Sequence, residues 1–239
     1  MTKTILASIA LTLGLATQAG AATWEAGKHY DVLTQPQRTT VAPGKVEVME
    51  VFSYGCPACD HFQPTMKKIK AALPANAQLV YLPASWNSAE NWPTFQRAYL
   101  TAKSMGVADK AHDEMFQAIW TTGELGVLEG ITSGRPKRNL PTIDDIAKFY
   151  QRVAGAKPAE FVAASKSFSV DLKMRQSDAQ IIAMKVGSTP TLVVNGKYRI
   201  NNDSVRTPED FIGLVNFLVA KESAAKPAAA TAPAAIKKP

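Results

Sequence analysis

The feature that most constrains this 239-residue chain is its only cysteine pair, spaced Cys-x-x-Cys at Cys56 and Cys59. The pair lies between an apolar, β-branched run, residues 46–52, and a run with helical spacing of apolar residues, 60–73. Such a pair, placed where a strand gives way to a helix, is typical of a redox-active dithiol. A disulfide that closes so short a loop constrains the unfolded chain very little, which disfavours a purely structural bridge.

Three other interpretations of the pair are a zinc site, a haem attachment site and an inert buried pair. A structural zinc ion needs four ligands, and the histidines of the chain lack ligand-like spacing; they are His29, His61 and His112. Covalent haem attachment requires a histidine directly after the second cysteine, where Asp60 stands. The turn-like Tyr54-Gly55 should expose Cys56, which disfavours an inert pair. We therefore predict redox chemistry without a metal or a cofactor.

The position of Cys56 predicts an activated thiol. Pro57 suits the first turn of a helix, where its missing N–H removes no hydrogen bond. Cys56 should therefore face unpaired backbone N–H groups and the positive end of the helix dipole, which favour thiolate over thiol. Thiolate is the form that attacks a disulfide or leaves from one. Cys59, one turn further along, is expected to face inward as the resolving thiol.

Two further positions each have a functional and an ordinary interpretation. Glu50 is either a buried acid that relays the proton of Cys59 or an acid at an exposed strand position. The Thr189–Pro190 bond is either cis and packed against the dithiol, or an ordinary trans bond at the start of a strand. If this bond is cis, the backbone of Thr189 could pair with an extended substrate. Tyr54, beside the cysteines, is predicted to be a further substrate contact.

The two ends of the chain predict segments outside the folded domain. Lys3, an apolar run over 5–15 and Ala19-Gly20-Ala21 are typical of a secretory signal peptide, so we expect cleavage after Ala21 and export. Residues 223–239 are rich in Ala, Pro and Lys and are predicted to be disordered. The formal charge of +7 comes without an aromatic and basic stripe, so no nucleic-acid partner is expected.

Between these ends the predicted order is strand, helix and strand over 22–87, helices over 88–186, and a hairpin and helix over 187–222. Asn195-Gly196 between two apolar runs is a strong hairpin signal. Thr207-Pro208 and the acids that follow it indicate the start of the last helix. This order predicts an α/β protein with a thioredoxin-like fold and an inserted all-helical domain.

Two stretches, residues 50–59 and 189–198, resemble the active-site strand and the cis-proline hairpin of the DsbA family of periplasmic thiol:disulfide oxidoreductases. The resemblance implies donation of a Cys56–Cys59 disulfide to unfolded or reduced exported proteins, and reoxidation by DsbB, a quinone-linked membrane partner. It assigns Cys56 as nucleophile, Cys59 as its partner, Glu50 as the buried acid and Pro190 as the cis proline. We expect a monomer.

Three positions depart from the family pattern. Ala58 stands where histidine is frequent, which predicts a less acidic Cys56 and a weaker oxidant. Thr189 stands where valine is frequent, and Tyr81 falls near the place of a basic residue that is sometimes paired with the buried acid. A reductase or isomerase on the same fold, and a non-enzymatic peptide binder, are the alternatives to the oxidase.

Overall fold

The structure is a computed structural model that describes residues 23–130 and 134–225. The predicted signal peptide, 1–21, lies outside the described residues, as does most of the predicted tail. Among the residues that are described, no helix combines the length and apolar character needed to cross a membrane.

The described strands form one five-stranded sheet in the order β1-β5-β4-β2-β3. The strands are β1 Tyr30–Val32, β2 Val46–Phe52, β3 Ala77–Pro83, β4 Thr191–Val194 and β5 Tyr198–Ile200. The helices are α1 Pro57–Ala72, α2 Trp92–Ser104, α3 Ala108–Trp120, α4 Ile143–Ala154, α5 Pro158–Ser165, α6 Phe168–Ala183 and α7 Pro208–Ala225. Strand β2 pairs parallel with β3 and antiparallel with β4, and the mixed sheet confirms the predicted fold class.

Strand β2 lies inside the sheet, between β4 and β3, and all seven of its residues are buried. Its bounds match the apolar run read from the sequence, because β-branched and aromatic residues favour a strand that is covered on both faces. Val48 packs in one apolar cluster with Ile69 of α1 and Leu214 of α7. Met49 and Val51 belong to a second cluster, which extends into the helices between β3 and β4. The strand therefore ends, at the cysteine pair, on the boundary between two cores.

The chain between β3 and β4 contributes helices α2 to α6 and no strand of the sheet within its described residues. Helix α4 shows how local signals set these elements. Thr142 Oγ1 accepts a hydrogen bond from the Asp145 backbone N–H at 3.2 Å, and the Asp145 carboxylate accepts one from the Thr142 N–H at 3.0 Å. This reciprocal capping box fixes the start of α4.

The last helix holds the β4–β5 hairpin in place and continues further than the sequence predicts. The Glu222 carboxylate accepts hydrogen bonds from Asn195 Nδ2 at 2.6 Å, Lys197 Nζ at 2.9 Å and Tyr198 Oη at 2.7 Å. Asn76 Nδ2 also donates a hydrogen bond to Ser223 Oγ at 2.7 Å. Because these contacts anchor the end of α7, the helix runs to Ala225, and the expectation of a disordered tail from residue 223 is wrong by three residues.

Candidate active site

Both cysteines are free thiols at the start of α1. Cys56 is the N-cap residue, with an extended backbone (φ −92°, ψ 115°), and Pro57 opens the helix as predicted. Cys59 is fully buried one turn below, as the sequence predicts, but Cys56 is only 5% exposed. The expectation that the preceding turn leaves Cys56 well exposed is therefore wrong. Pro57 and Ala58 are the exposed residues of the motif.

The Thr189–Pro190 segment lies against Cys56, 133 positions away in the sequence. The peptide bond between Thr189 and Pro190 is cis, as the functional interpretation of this segment predicts. The Thr189 hydroxyl donates a hydrogen bond to Cys56 Sγ at 3.2 Å, and the Thr189 carbonyl oxygen lies 3.6 Å from the same sulfur. The hydroxyl can donate to a thiolate, so this contact favours the ionised form of Cys56.

The two thiols of the motif have opposite acidities. A hydrogen bond from the Cys59 thiol lowers the pKa of Cys56 from 9.0 to about 6, helped by the Thr189 hydroxyl and by the backbone amides of Cys59 and Ala58. Burial raises the pKa of Cys59 well above its ordinary value, and the charge of Cys56 raises it further. At neutral pH Cys56 is therefore mainly thiolate, whereas Cys59 holds its proton.

Glu50 lies in the middle of β2 and is completely buried. Neither of its carboxyl oxygens has a hydrogen-bond partner among the described residues. Burial raises its pKa from 4.5 to about 8, and the negative charge of Cys56 adds to this. Glu50 in turn raises the pKa of Cys59. The structure therefore decides between the two interpretations of Glu50: it is a buried, neutral acid near the dithiol, and the exposed alternative is wrong.

Tyr54 faces the interior, and its predicted role as a substrate contact is wrong. The residue is 1% exposed, and its hydroxyl lies 3.0 Å from Nδ1 of His112 on α3. Its carbonyl oxygen accepts a hydrogen bond from Trp120 Nε1 at 2.8 Å. Contacts of both its side chain and its carbonyl oxygen with α3 therefore hold Tyr54 in the interior and fix the loop before Cys56.

A close approach of two backbone segments also fixes this loop. A Cβ atom placed on Gly55 would lie 2.4 Å from the Glu90 carbonyl oxygen and 2.7 Å from Trp92 Cδ1. Trp92 is buried, whereas Trp86, whose ring packs against it at 5.2 Å between centroids, is 48% exposed. No local sequence signal places these tryptophans beside Gly55, because they lie more than 30 positions further along the chain.

The ionisable groups that the structure brings together at this site are two thiols and one carboxyl group. Within residues 23–130 and 134–225, no cluster of three or more His, Cys, Asp or Glu side chains is suited to hold a metal ion.

The sequence and the fold are similar to those of known proteins. The thioredoxin family model matches residues 42–216. The thiol:disulfide interchange protein DsbA of Pseudomonas aeruginosa is 34% identical over 222 residues, which cover 93% of this chain and 96% of that protein. DsbA of Escherichia coli K12 is 28% identical over 198 residues, 82% of this chain and 85% of that protein.

Solved structures give the same result. A crystal structure of a P. aeruginosa DsbA variant has a TM-score of 0.72 at 33% identity, covering 84% of this chain and all of that one. The oxidoreductase DsbA of Xylella fastidiosa has a TM-score of 0.71 at 30% identity, covering 84% of this chain and 98% of that one. With its thioredoxin-like fold and its Cys-x-x-Cys pair, the chain belongs to the DsbA family and is a thiol:disulfide oxidoreductase.

Proposed function

We propose that this protein is a periplasmic oxidase that donates a Cys56–Cys59 disulfide to newly exported proteins. The observation that carries the proposal is the inequality of the two thiols: Cys56, at the N-cap of α1, is acidic, whereas Cys59, one turn further along, is fully buried and holds its proton. A stable Cys56 thiolate makes the reduced form favourable, and a protein whose reduced form is favoured passes its disulfide to others.

The first step forms a mixed disulfide. A substrate thiolate attacks Cys56 Sγ, the Cys56–Cys59 bond breaks, and Cys59 leaves as a thiolate. Because Cys59 is buried, its thiolate is costly and must be protonated. The carboxyl group of Glu50, neutral below a pKa of about 8, is the proton donor for this step.

The second step releases the product. A second substrate thiolate attacks the substrate sulfur of the mixed disulfide, and Cys56 leaves as a thiolate. With its pKa near 6, Cys56 leaves without needing a proton at neutral pH. The substrate gains a disulfide and loses two thiol protons: one replaces the proton that Glu50 gave to Cys59, and the other goes to the solvent.

The Thr189–Pro190 segment is proposed to bind the substrate chain beside Cys56. Its carbonyl oxygen, 3.6 Å from Cys56 Sγ, could accept a hydrogen bond from the backbone of an extended peptide. Pro190 is half-buried, so it leaves part of this segment accessible next to the sulfur.

The remaining features follow from the sequence and the family. The predicted signal peptide would export the chain, and a DsbB-like, quinone-linked membrane protein would reoxidise it. The protein would act as a monomer. Ala58 supplies no cation beside Cys56, so we expect a weaker oxidant than a relative with histidine there.

Substitution of each cysteine tests the mechanism with a reduced, unfolded substrate protein. Cys56→Ser should abolish turnover, whereas Cys59→Ala should accumulate mixed disulfides that are visible on non-reducing gels. Full activity of Cys56→Ser would contradict the mechanism. Two assays separate the oxidase from an isomerase: oxidation of a reduced substrate protein, and repair of a substrate protein with incorrectly paired disulfides. An oxidase should be faster in the first assay and an isomerase in the second. Peptide binding that survives loss of both cysteines, without thiol exchange, would instead indicate a non-enzymatic binder.

A further inference from the structure

The Thr189–Pro190 segment lies just before β4, but no strand pairing holds its backbone. The pairing of β4 with β2 stops at Thr191, and its pairing with β5 stops at Val193. Pro190 has no N–H with which to extend either ladder. Within the described chain, neither Thr189 nor Pro190 makes a backbone-to-backbone hydrogen bond. The position of this segment beside Cys56 therefore depends on contacts from side chains.

Asn202 holds this segment from the side of β5. Its Nδ2 donates a hydrogen bond to the Pro190 carbonyl oxygen at 2.6 Å. Strands β4 and β5 pair antiparallel as far as Val193 and Arg199. Continued by three residues in each strand, this register would set Asn202 opposite Pro190. β5 ends at Ile200 instead, so the side-chain amide of Asn202 supplies the hydrogen-bond donor that a strand residue would supply through its backbone.

The turn that follows β5 places Asn202 for this contact. The Asp203 backbone N–H donates to Asn201 Oδ1 at 3.2 Å, and the Ser204 N–H donates to the Asn201 carbonyl oxygen at 3.2 Å. Asparagine favours such turns because its side chain accepts a hydrogen bond from the backbone two residues further on. These hydrogen bonds hold the backbone around Asn202, which leaves its own side chain to contact Pro190.

We propose that Asn202 is a positioning residue that keeps Thr189 in place against Cys56. The ring of Pro190 fixes its φ angle, so a hydrogen bond that holds the Pro190 carbonyl group also restrains the adjoining Thr189. The Thr189 hydroxyl and carbonyl oxygen then stay next to Cys56 Sγ, at 3.2 and 3.6 Å. For its effect on substrates, the proposal rests on the proposed binding of an extended peptide at this segment.

The ultraviolet absorbance of the Cys56 thiolate in the reduced protein tests this positioning without any substrate. Asn202→Ala removes the donor, so the Thr189 hydroxyl contacts Cys56 Sγ for less of the time, and the pKa of Cys56 should rise by about half a pH unit. In a Thr189→Val background, where no hydroxyl is left to position, Asn202→Ala should leave this pKa unchanged. Cys59 and Glu50 are the same in every variant, so they do not contribute to these differences.

The rates at which two reductants react with the oxidised protein test the effect on substrates. A dithiol peptide has a backbone that can pair with Thr189, whereas the small dithiol dithiothreitol has none. The ratio of the peptide rate to the dithiothreitol rate should fall about fivefold in Asn202→Ala, because one hydrogen bond no longer holds the segment that binds the peptide. A change in the reactivity of Cys56 affects both reductants and cancels from this ratio.

Asn76→Ala is the matched control. Asn76 also lies in a turn and donates through Nδ2, to Ser223 Oγ at 2.7 Å at the end of α7, so its replacement should leave both the Cys56 titration and the rate ratio unchanged. An unchanged titration of Cys56 in Asn202→Ala, or an equal shift in Asn76→Ala or in the Thr189→Val background, would overturn the positioning role. A raised pKa with an unchanged rate ratio would support that role and would instead refute the proposed binding of substrate backbone at Thr189.

Discussion

Replacing Glu50 by Gln should stabilise the reduced protein, and the gain should grow as the pH rises. Glu50 is completely buried, and neither of its carboxyl oxygens has a hydrogen-bond partner among the described residues. Its pKa is raised from 4.5 to about 8, first by burial and then by the charge of Cys56. Glutamine has nearly the same shape as the protonated side chain but no proton to lose.

The magnitude follows from the two pKa values. Below pH 4.5 Glu50 is protonated in both the folded and the unfolded protein, so its ionisation does not lower the stability of the folded protein. Between pH 4.5 and 8 the unfolded chain releases the proton and the folded chain keeps it, so each pH unit lowers the stability by about 1.4 kcal/mol. At pH 7 the accumulated cost is on the order of 3 kcal/mol. The Glu50→Gln variant avoids this cost.

Urea unfolding of the reduced wild type and variant, at several values between about pH 5 and pH 7, measures the difference in free energy. Cys56 also titrates near this range. Below pH 7, however, its contribution to the free energy of unfolding is nearly the same in the wild type and the variant, so it cancels when the two are compared. The gain should be less than about 1 kcal/mol at pH 5 and about 3 kcal/mol at pH 7. Equal stabilities at both ends of the range would refute a buried, neutral Glu50.

Glu47→Gln is the matched control on the same strand. Glu47 is as deeply buried as Glu50, but its Oε2 accepts hydrogen bonds from the Thr40 backbone N–H at 2.6 Å and the Thr40 hydroxyl at 2.8 Å. Replacing this side chain disturbs two hydrogen bonds of a buried group, so the variant should be less stable than the wild type at pH 7. A gain from both substitutions would show that the effect has nothing to do with the environment of Glu50.

Two further substitutions test the environment of Cys56. Thr189→Val removes the hydroxyl that donates to Cys56 Sγ, so it should raise the pKa of Cys56 by roughly one pH unit. The ultraviolet absorbance of the thiolate measures this pKa, and an unchanged titration would contradict the role of this contact. Gly55→Ala places a Cβ atom against the Glu90 carbonyl oxygen and Trp92, so it should destabilise the protein by roughly 1–3 kcal/mol in urea unfolding, and wild-type stability would contradict the close approach.

Much of the architecture could be predicted because its signals are local. Local signals of a few neighbouring residues specify the β-branched strand β2, the start of α7 at Thr207-Pro208 and the Asn195-Gly196 turn. The end of α7 could not be predicted in this way. Residues after Glu222 have the composition of a disordered tail, but hydrogen bonds from the β4–β5 hairpin extend the helix.

In the site, too, features set by neighbouring residues were predicted, whereas features set by contacts distant in the sequence were missed. Cys59 faces inward because it is one helical turn after Cys56, a consequence of local geometry. Tyr54 faces inward because of His112, which lies 58 positions further along the chain. Nothing in the residues next to Tyr54 distinguishes a surface aromatic residue from a core one, so its direction could not be inferred from its place beside the cysteines.

The sequence by itself determined that the chain has a redox dithiol at a strand-to-helix junction, since the spacing of the cysteines and the helix start are local properties. Only the tertiary structure decided the acidity of the two thiols and of the carboxyl group near them. Thr189 reaches Cys56 from 133 positions away, and Glu50 is neutral because strands and helices from both halves of the chain exclude water from it. Acidity depends on burial and on charges nearby in space, and folding alone brings these groups together.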